Sequence, residues 1–307
     1  MTQKLPLRKT KSKPVWRNRY IVAMIPYSWL ILFSLIPFLF VLKVSFSQTI
    51  LAIPPYQPLL TLANEGILTL NLNLGNYSRM ITDSFYASGF IASVMIALVS
   101  TIFCLIFGYL IAYGITRASP KWRMILLLLI ILPFWTSFLV RIYAWIGILS
   151  KDGLLNNLLL YLGLISEPQQ FLYNNFAVTI GIVYCYLPFM VLPIYSTLEK
   201  LDDVYIEAAY DLGCRPWQAF WRITVPLSKA GILSGCALVF IPALGEFVIP
   251  ELLGAPDNLM IGRIIWLEFF NNRDWPIAST VAVVMLILFV VPIMVMQRRQ
   301  LDRQEEP

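Results

Sequence analysis

The dominant feature of the sequence is a series of long apolar runs separated by shorter polar stretches. A helix needs roughly 20 predominantly apolar residues to cross the hydrocarbon core of a bilayer. Six segments reach or approach that length: 20–42, 85–113, 124–149, 176–195, 229–248 and 277–296. The pattern predicts an all-α, polytopic membrane protein in which residues 20–296 form a domain of six transmembrane helices between the tails 1–19 and 297–307.

Composition agrees with a membrane protein and narrows its chemistry. Hydrophobic residues make up 59% of the chain and charged residues 13%, whereas soluble domains have about 45–50% apolar and about 25% charged residues. The sequence has no histidine, and its four cysteines have no metal-ligand spacing. We therefore expect no metal site and no catalytic residue.

The distribution of basic residues predicts the orientation in the membrane. Seventeen of the 23 Lys and Arg residues lie in the two tails and in the loops after the second and fourth segments, and five lie in the other loops. Cytoplasmic loops carry the excess of Lys and Arg. Both termini are therefore predicted to be cytoplasmic, and the opposite side has more acidic than basic residues.

The loop 199–228, between the fourth and fifth segments, is long for a connection between membrane helices. Its pattern predicts one short helix over 202–212, ending at Gly213, and a second over 216–224. On the predicted orientation these two helices project into the cytoplasm, where they could dock on a partner.

A motif in this loop resembles that of a known family. The loop contains Glu207-Ala208-Ala209, then Gly213, then Ile223-Thr224-Val225-Pro226. It is similar to the EAA loop of ABC-importer permeases, with Val225 where leucine is usual. The resemblance implies the type I importer fold, and implies that the loop 199–228 is a coupling loop that seats in a cleft of the ATP-hydrolysing subunit.

Four further segments resemble the polyamine (putrescine/spermidine) branch of these permeases, in particular the first permease subunit of bacterial putrescine importers. They are 52–56, 132–145, 239–254 and 268–276. The resemblance implies polyamine transport across the bacterial inner membrane. It also implies three kinds of protein partner, namely an ATP-binding subunit in two copies, a second permease subunit and a periplasmic polyamine-binding protein.

ATP and magnesium are expected on the partner ATPase. No glycine in this sequence begins the phosphate-binding pattern G-x-x-x-x-G-K-[ST]. We therefore expect no cofactor in this chain, and we expect membrane lipid but no nucleic acid among its contacts.

Two ionisable residues lie within predicted transmembrane segments, where an unpaired charge is costly. They are Arg141 in the third segment and Glu246 near the end of the fifth. Pro242, Gly245 and Pro250 are expected to interrupt the helix around Glu246 and to expose carbonyl groups that suit an ammonium ion. Glu246 is predicted to face the substrate. The alternatives are a pair with Arg141 or a partner's cation, and an interfacial position on a broken helix. Arg141 would repel a polyamine, which favours a structural or gating role.

Aromatic and acidic residues complete the predicted substrate path. Aromatic rings attract alkylammonium groups, although many such rings in membrane proteins serve packing or the interface. The aromatic candidates are Trp135, Tyr143, Trp145, Tyr184, Tyr186 and Trp266. The candidate acids at the outer entrance are Glu251, Glu268 and Asp274, which could equally be solvated loop charges or contacts for a binding protein.

Gly231 and Gly235 have the G-x-x-x-G spacing that permits close contact between membrane helices. The spacing fits an interface between two permease subunits, although such motifs are common in membrane helices.

Two alternatives stay open at this point. One is a self-contained secondary carrier or a membrane enzyme, although the six segments show no obvious repeated half and the chain has no nucleophile motif. The other is an ABC permease for a different cationic solute.

Overall fold

The computed structural model describes residues 24–62, 68–257, 259–292 and 294, and these are mostly helical. In chain order the helices are α1 (Met24–Ser45), α2 (Gly75–Thr82), α3 (Ser84–Arg117), α4 (Pro120–Ile131), α5 (Phe138–Leu149), α6 (Leu154–Tyr161), α7 (Asn175–Leu198), α8 (Val204–Asp211), α9 (Pro216–Leu227), α10 (Lys229–Leu244), α11 (Val248–Leu253), α12 (Ile261–Trp266) and α13 (Trp275–Met285). Wider π-helical turns lie within α1 and α9 and extend α12 and α13.

The predicted apolar segments correspond to helices. Within the described residues, α1, α3 and α7 are each long and apolar enough to cross a membrane alone. The third segment forms α4 and α5, the fifth forms α10, and the sixth forms α13 with its π-helical extension. The prediction of a helical membrane domain is confirmed.

The prediction of one continuous third helix is wrong. A 3₁₀ turn, Leu132–Trp135, ends α4, and an extended Thr136 separates it from α5. The helical parts on either side of this point are bent by 92° relative to each other. Pro133 in the turn has no N–H to donate, which favours a break.

The fifth segment also divides, near the place that its sequence indicates. Helix α10 ends at Leu244, and Gly245 takes a non-helical conformation before α11 begins at Val248. The predicted fifth helix, which continues to residue 248, is therefore four residues too long. Pro242 is accommodated within the last turn of α10, so the break follows this proline by three residues.

A bundle of α3, α7 and α10 forms the centre of the molecule. Its buried side chains include Ile96 and Cys104 of α3 and Ile182 and Met190 of α7. Helix α1 packs on α13 at the outside of this bundle, and its apolar window has no buried residue.

Gly231 and Gly235 pack α10 against α7 of the same chain. A Cβ atom at Gly235 would lie 2.7 Å from Met190 Sδ, and one at Gly231 would lie 2.7 Å from the carbonyl oxygen of Pro193. This spacing therefore serves a contact within the chain, rather than the interface between two permeases that the sequence suggested.

Small additional elements lie at the end of the domain opposite the loop 199–228. Strands β1 (Leu60–Leu62) and β2 (Leu68–Leu70) pair antiparallel, next to α2 in the chain. This hairpin was not predicted from the pattern of apolar residues. It is short and leaves the helical architecture unchanged.

The loop 199–228 contains the two predicted helices. Helix α8 ends at Asp211, and Gly213 has a φ of +80°, the left-handed conformation that favours glycine. Helix α9 continues through Pro226 to Leu227 instead of ending before the proline. The π-helical turn Phe220–Thr224 precedes Pro226 and places it in the first turn of the next α-helical stretch, where its missing N–H is tolerated.

Replacing Gly231 with leucine should destabilise the protein, because the new side chain would collide with the backbone of α7. Overpacking of this kind costs about 1–3 kcal/mol. Thermal unfolding of the detergent-purified protein measures the effect. Gly114→Leu is the matched control, since a Cβ atom there meets nothing within 4 Å. Equal melting temperatures for the two variants would contradict the close packing of α10 on α7.

Candidate functional site

The break between α10 and α11 is built around the carboxylate of Glu246. Tyr186 Oη donates a hydrogen bond of 2.5 Å to Glu246 Oε2. The backbone N–H groups of Val248 and Ile249 donate to Oε1 at 3.1 and 3.4 Å. Glu246 therefore caps the start of α11, and it is 8% exposed. An anion is favourable at this position because a helix N-terminus presents free N–H groups.

This carboxylate lies at the middle of the bundle. Its partner Tyr186 is the twelfth of the 24 residues of α7. With a rise of about 1.5 Å per residue, Tyr186 is roughly equidistant from the two ends of a helix that is long enough to cross a membrane.

Arg141 occupies the neighbouring break, at the start of α5. Its guanidinium carbon lies 4.9 Å from the ring centre of Phe134 and 5.6 Å from that of Phe138. The side chain is buried, and its Nε and Nη1 atoms have no hydrogen-bond partner among the described residues. Arg141 forms no ion pair with Glu246 in this conformation.

A chain of aromatic rings joins the two charged residues. The ring of Phe189 on α7 lies 5.4 Å from that of Phe134 and 6.1 Å from that of Tyr186. The breaks in the third and fifth segments thus meet on the same part of α7. The central site is defined by Phe134, Arg141, Tyr186, Phe189 and Glu246.

Tyr186, one of the predicted aromatic residues, is part of the central site. Three others, Trp145, Tyr184 and Trp266, lie next to its elements. Tyr184 packs against Trp145 of α5 with ring centres 5.6 Å apart. Trp266 stacks on Phe247, the residue after Glu246, at 4.6 Å. Trp135 and Tyr143 are instead 76% and 59% exposed on the surface of this chain.

Sequence reasoning missed Phe134, Phe138 and Phe189. Phe134 and Phe138 precede Arg141 by seven and three residues. In a helix this spacing places side chains on the same face, so it could have indicated aromatic rings next to Arg141. Such a spacing is also ordinary in apolar helices, so it does not by itself distinguish a site from packing.

The acids predicted at the outer entrance have partners within the chain. Glu268 is buried and accepts hydrogen bonds from Tyr86 Oη at 2.9 Å and Asn272 Nδ2 at 2.8 Å. Glu251 forms an ion pair with Arg263 at 2.5 Å.

Asp274 caps α13 by accepting from the N–H of Ile277 at 3.1 Å. It also accepts from Thr49 at 2.6 Å and lies 3.7 Å from Arg79. These contacts join the ends of α1, α2 and α13.

The motif residues of the loop 199–228 lie on a partly exposed surface. Glu207 and Ala208 are exposed, Ala209 is buried, Ile223 is half-buried and Pro226 is exposed. Helix α8 also exposes apolar side chains, namely Val204, Tyr205, Tyr210 and Leu212. An exposed apolar surface of this kind is typical of a protein interface.

Ion pairs at its base hold this loop against the membrane domain. Arg117 at the end of α3 lies 3.4 Å from Asp203, and Arg123 of α4 lies 3.5 Å from Glu199. Tyr195 Oη donates to Glu199 at 2.7 Å. The position of α8 is thereby linked to three membrane helices.

Comparison with known proteins identifies the family. Residues 104–304 match the family of binding-protein-dependent transport system inner membrane components. The chain belongs to this family. Membership of this family shows that the chain is a non-catalytic permease subunit of an ABC importer. It excludes the alternatives of a self-contained secondary carrier and a membrane enzyme.

Similar sequences cover nearly the whole chain. The spermidine/putrescine transport system permease protein PotB of Haemophilus influenzae is 39% identical over 93% of this chain and 96% of its own length. The protein of the same name from Escherichia coli K12 is 39% identical over 91% and 97%. The inner membrane ABC transporter permease protein YdcU of Escherichia coli K12 is 31% identical over 76% and 74%.

Solved structures share the fold. A chain of a bacterial ABC transporter that imports the acidic polysaccharide alginate matches with a TM-score of 0.66 and 16% identity, over 95% of this chain and 98% of that chain. A chain of the MetNI methionine ABC transporter in an inward-facing conformation matches with a TM-score of 0.53 and 16% identity, over 70% and 94%. The expected type I importer permease fold is confirmed.

Glu268→Ala should destabilise the protein, because it leaves the hydroxyl of Tyr86 and the amide of Asn272 without their acceptor. A buried polar group that loses its partner costs about 1–3 kcal/mol. Thermal unfolding of the purified protein measures this, with the exposed Glu167→Ala as control. Glu268→Gln, which keeps one acceptor oxygen, should lie between the two. A wild-type melting temperature for Glu268→Ala would contradict a structural role.

Proposed function

We propose that this chain is the transmembrane permease subunit of an ATP-driven importer that moves polyamines, putrescine and/or spermidine, into the cytoplasm by alternating access. The observation that carries the proposal is the buried carboxylate of Glu246 at a helix break in the middle of the bundle. The relatives with 38–39% identity, whose name states spermidine/putrescine transport, support the choice of substrate.

The central site has the chemistry that an alkylammonium ion requires. Glu246 supplies the negative charge. It already accepts two hydrogen bonds on Oε1 and one on Oε2, which leaves one of about four lone-pair sites, on Oε2, for an ammonium group. The rings of Tyr186 and Phe189 lie beside it and offer aromatic faces to the cation and to its methylene chain. Trp266, stacked on Phe247, would extend this surface, with Tyr184 on the side of α5.

Arg141 restricts where a second ammonium group of the substrate can lie in the central site. A second ammonium group near this guanidinium would be repelled, so we expect the substrate to bind with one end at Glu246 and the other directed away from Arg141. Glu251, Glu268, Asp274 and the exposed Trp135 and Tyr143 would act outside this centre, along the entrance or at the contact with the second permease.

The loop 199–228 is proposed to couple transport to ATP hydrolysis. Its exposed α8, with Glu207 and apolar side chains, suits the cleft of an ATP-binding subunit, which would be present in two copies and would bind ATP and magnesium. A second permease subunit and a periplasmic polyamine-binding protein would complete the transporter. The excess of Lys and Arg on the side of this loop supports its placement, and that of both termini, in the cytoplasm.

A permease for another cationic solute is the second candidate, and Arg141 is the observation that favours it. Its buried Nε and Nη1 atoms have no acceptor among the described residues. A solute that carries a carboxylate as well as an ammonium group would supply one. Competition of radiolabelled putrescine uptake by unlabelled polyamines and by amino acids separates the two candidates.

Glu246→Gln should weaken putrescine uptake while leaving the helix break intact, because the glutamine oxygen can still accept from Val248 and Ile249. A hydrogen bond to a charged group contributes about 1.5–3 kcal/mol, so the half-saturating putrescine concentration should rise roughly tenfold to a hundredfold. Uptake by proteoliposomes containing the assembled transporter measures it. Glu167→Gln, an exposed acid outside the predicted path, is the control. Unchanged uptake by Glu246→Gln at low putrescine would exclude Glu246 from the path.

Glu207→Lys should abolish uptake, because a reversed charge on α8 would disturb its proposed contact with the ATP-binding subunit. The amount of chain in the membrane should not fall, because Glu207 is exposed. Substrate-stimulated ATP hydrolysis and uptake are measured on the same assembled transporter. Asp152→Lys, on the opposite side of the domain, is the matched control. Normal uptake by Glu207→Lys would contradict the coupling role of α8.

A further inference from the structure

A deep apolar groove lies between α3, α9 and α10, away from the central site. Its volume is about 670 Å³, and its lining includes Tyr109, Leu110, Tyr113, Trp217, Trp221 and Ile232. Pockets of this size enclose drug-sized apolar molecules in other proteins, so the groove has room for an acyl chain.

The groove lies at the depth of one membrane leaflet. Its α3 wall runs from Leu105 to Tyr113, which are twelve and four residues before the end of this helix at Arg117. At about 1.5 Å per residue, the wall spans roughly 6–18 Å from that end. The hydrocarbon of a single leaflet is about 15 Å thick, which matches this range.

The side of the groove formed by α9 is open and aromatic. Trp217 is 69% exposed and Trp221 is 51% exposed, with their rings 5.5 Å apart. Tryptophan is enriched where a bilayer meets water, because its ring suits the boundary between acyl chains and headgroups. The open side therefore faces the region in which a lipid changes from chain to headgroup.

Basic residues lie next to the lining residues of the groove in the sequence. Arg215 precedes the lining residue Pro216, Arg222 follows Trp221, and Lys229 lies one turn before Ile232 on α10. All three are exposed, and none forms an ion pair with a carboxylate that the structure describes. An apolar groove with unpaired cations at its rim is complementary to a lipid whose headgroup is negatively charged.

We propose that this groove binds an anionic phospholipid. One acyl chain lies along Leu110 and Ile232 between the tryptophans and α3, and the phosphate group lies near Arg222 and Lys229. A neutral lipid would fill the groove equally well but would gain nothing from the basic rim. The cations therefore select the headgroup, and the groove determines the position of the chain.

Quenching of tryptophan fluorescence by brominated lipids tests the proposal on the assembled transporter in nanodiscs. The fluorescence of Trp217 and Trp221 is obtained by subtracting the emission of the Trp217→Phe/Trp221→Phe variant from that of the wild type. Acyl-brominated phosphatidylglycerol should quench this difference signal at a lower mole fraction than acyl-brominated phosphatidylcholine. Arg222→Gln/Lys229→Gln should reduce that preference by about tenfold, in line with the contribution of surface cations.

Lys43→Gln/Lys151→Gln, which removes two exposed cations from the opposite end, is the charge-matched control and should keep the preference. Equal quenching by the two lipids would overturn the proposal in favour of ordinary boundary lipid. A second experiment replaces Leu110 with cysteine and tests for a disulfide to a cysteine on the second permease. Formation of this disulfide together with an absence of quenching would overturn the proposal in favour of a protein occupant. Quenching measures contact with lipid and the disulfide measures contact with protein, so neither readout depends on the identity of the transported solute.

Discussion

A helix that breaks inside a membrane must satisfy the backbone groups that the break sets free, and this constraint governs the centre of the molecule. Glu246 meets it by accepting the N–H groups of Val248 and Ile249 with one oxygen and the hydroxyl of Tyr186 with the other. The same contacts hold a negative charge where an isolated one would be costly. The break and the charge therefore stabilise each other, and the bundle of α3, α7 and α10 is built around them.

This arrangement explains how one chain combines rigidity and a binding site. Close packing at Gly231 and Gly235 fixes α10 on α7 on the N-terminal side of the break. On the other side of the break α11 is short, and Glu246 accepts from the N–H groups of its first two residues. At the other end, Arg117 and Arg123 connect the loop 199–228 to α3 and α4.

The sequence predicts those features that depend on local information. Hydropathy locates the six apolar segments, the E-A-A motif indicates the family to which the chain belongs, and Gly245 with its neighbouring prolines indicates the break near Glu246. The 92° bend in the third segment was missed because Leu132–Trp135 is as apolar as the helix around it. The structural contacts of Glu268 could not be foreseen, since its partner Tyr86 is 182 residues away in the chain. The ring partners of Arg141 depend on the same kind of tertiary contact.

The central claim is that the mid-membrane carboxylate of Glu246 receives an ammonium group of the substrate. The most direct measurement is an experimental structure of the assembled transporter, trapped with putrescine in an occluded state. The account predicts an ammonium nitrogen within about 4 Å of a Glu246 oxygen and beside the rings of Tyr186 and Phe189. Putrescine bound elsewhere, with Glu246 still making only its contacts to Tyr186, Val248 and Ile249, would contradict it.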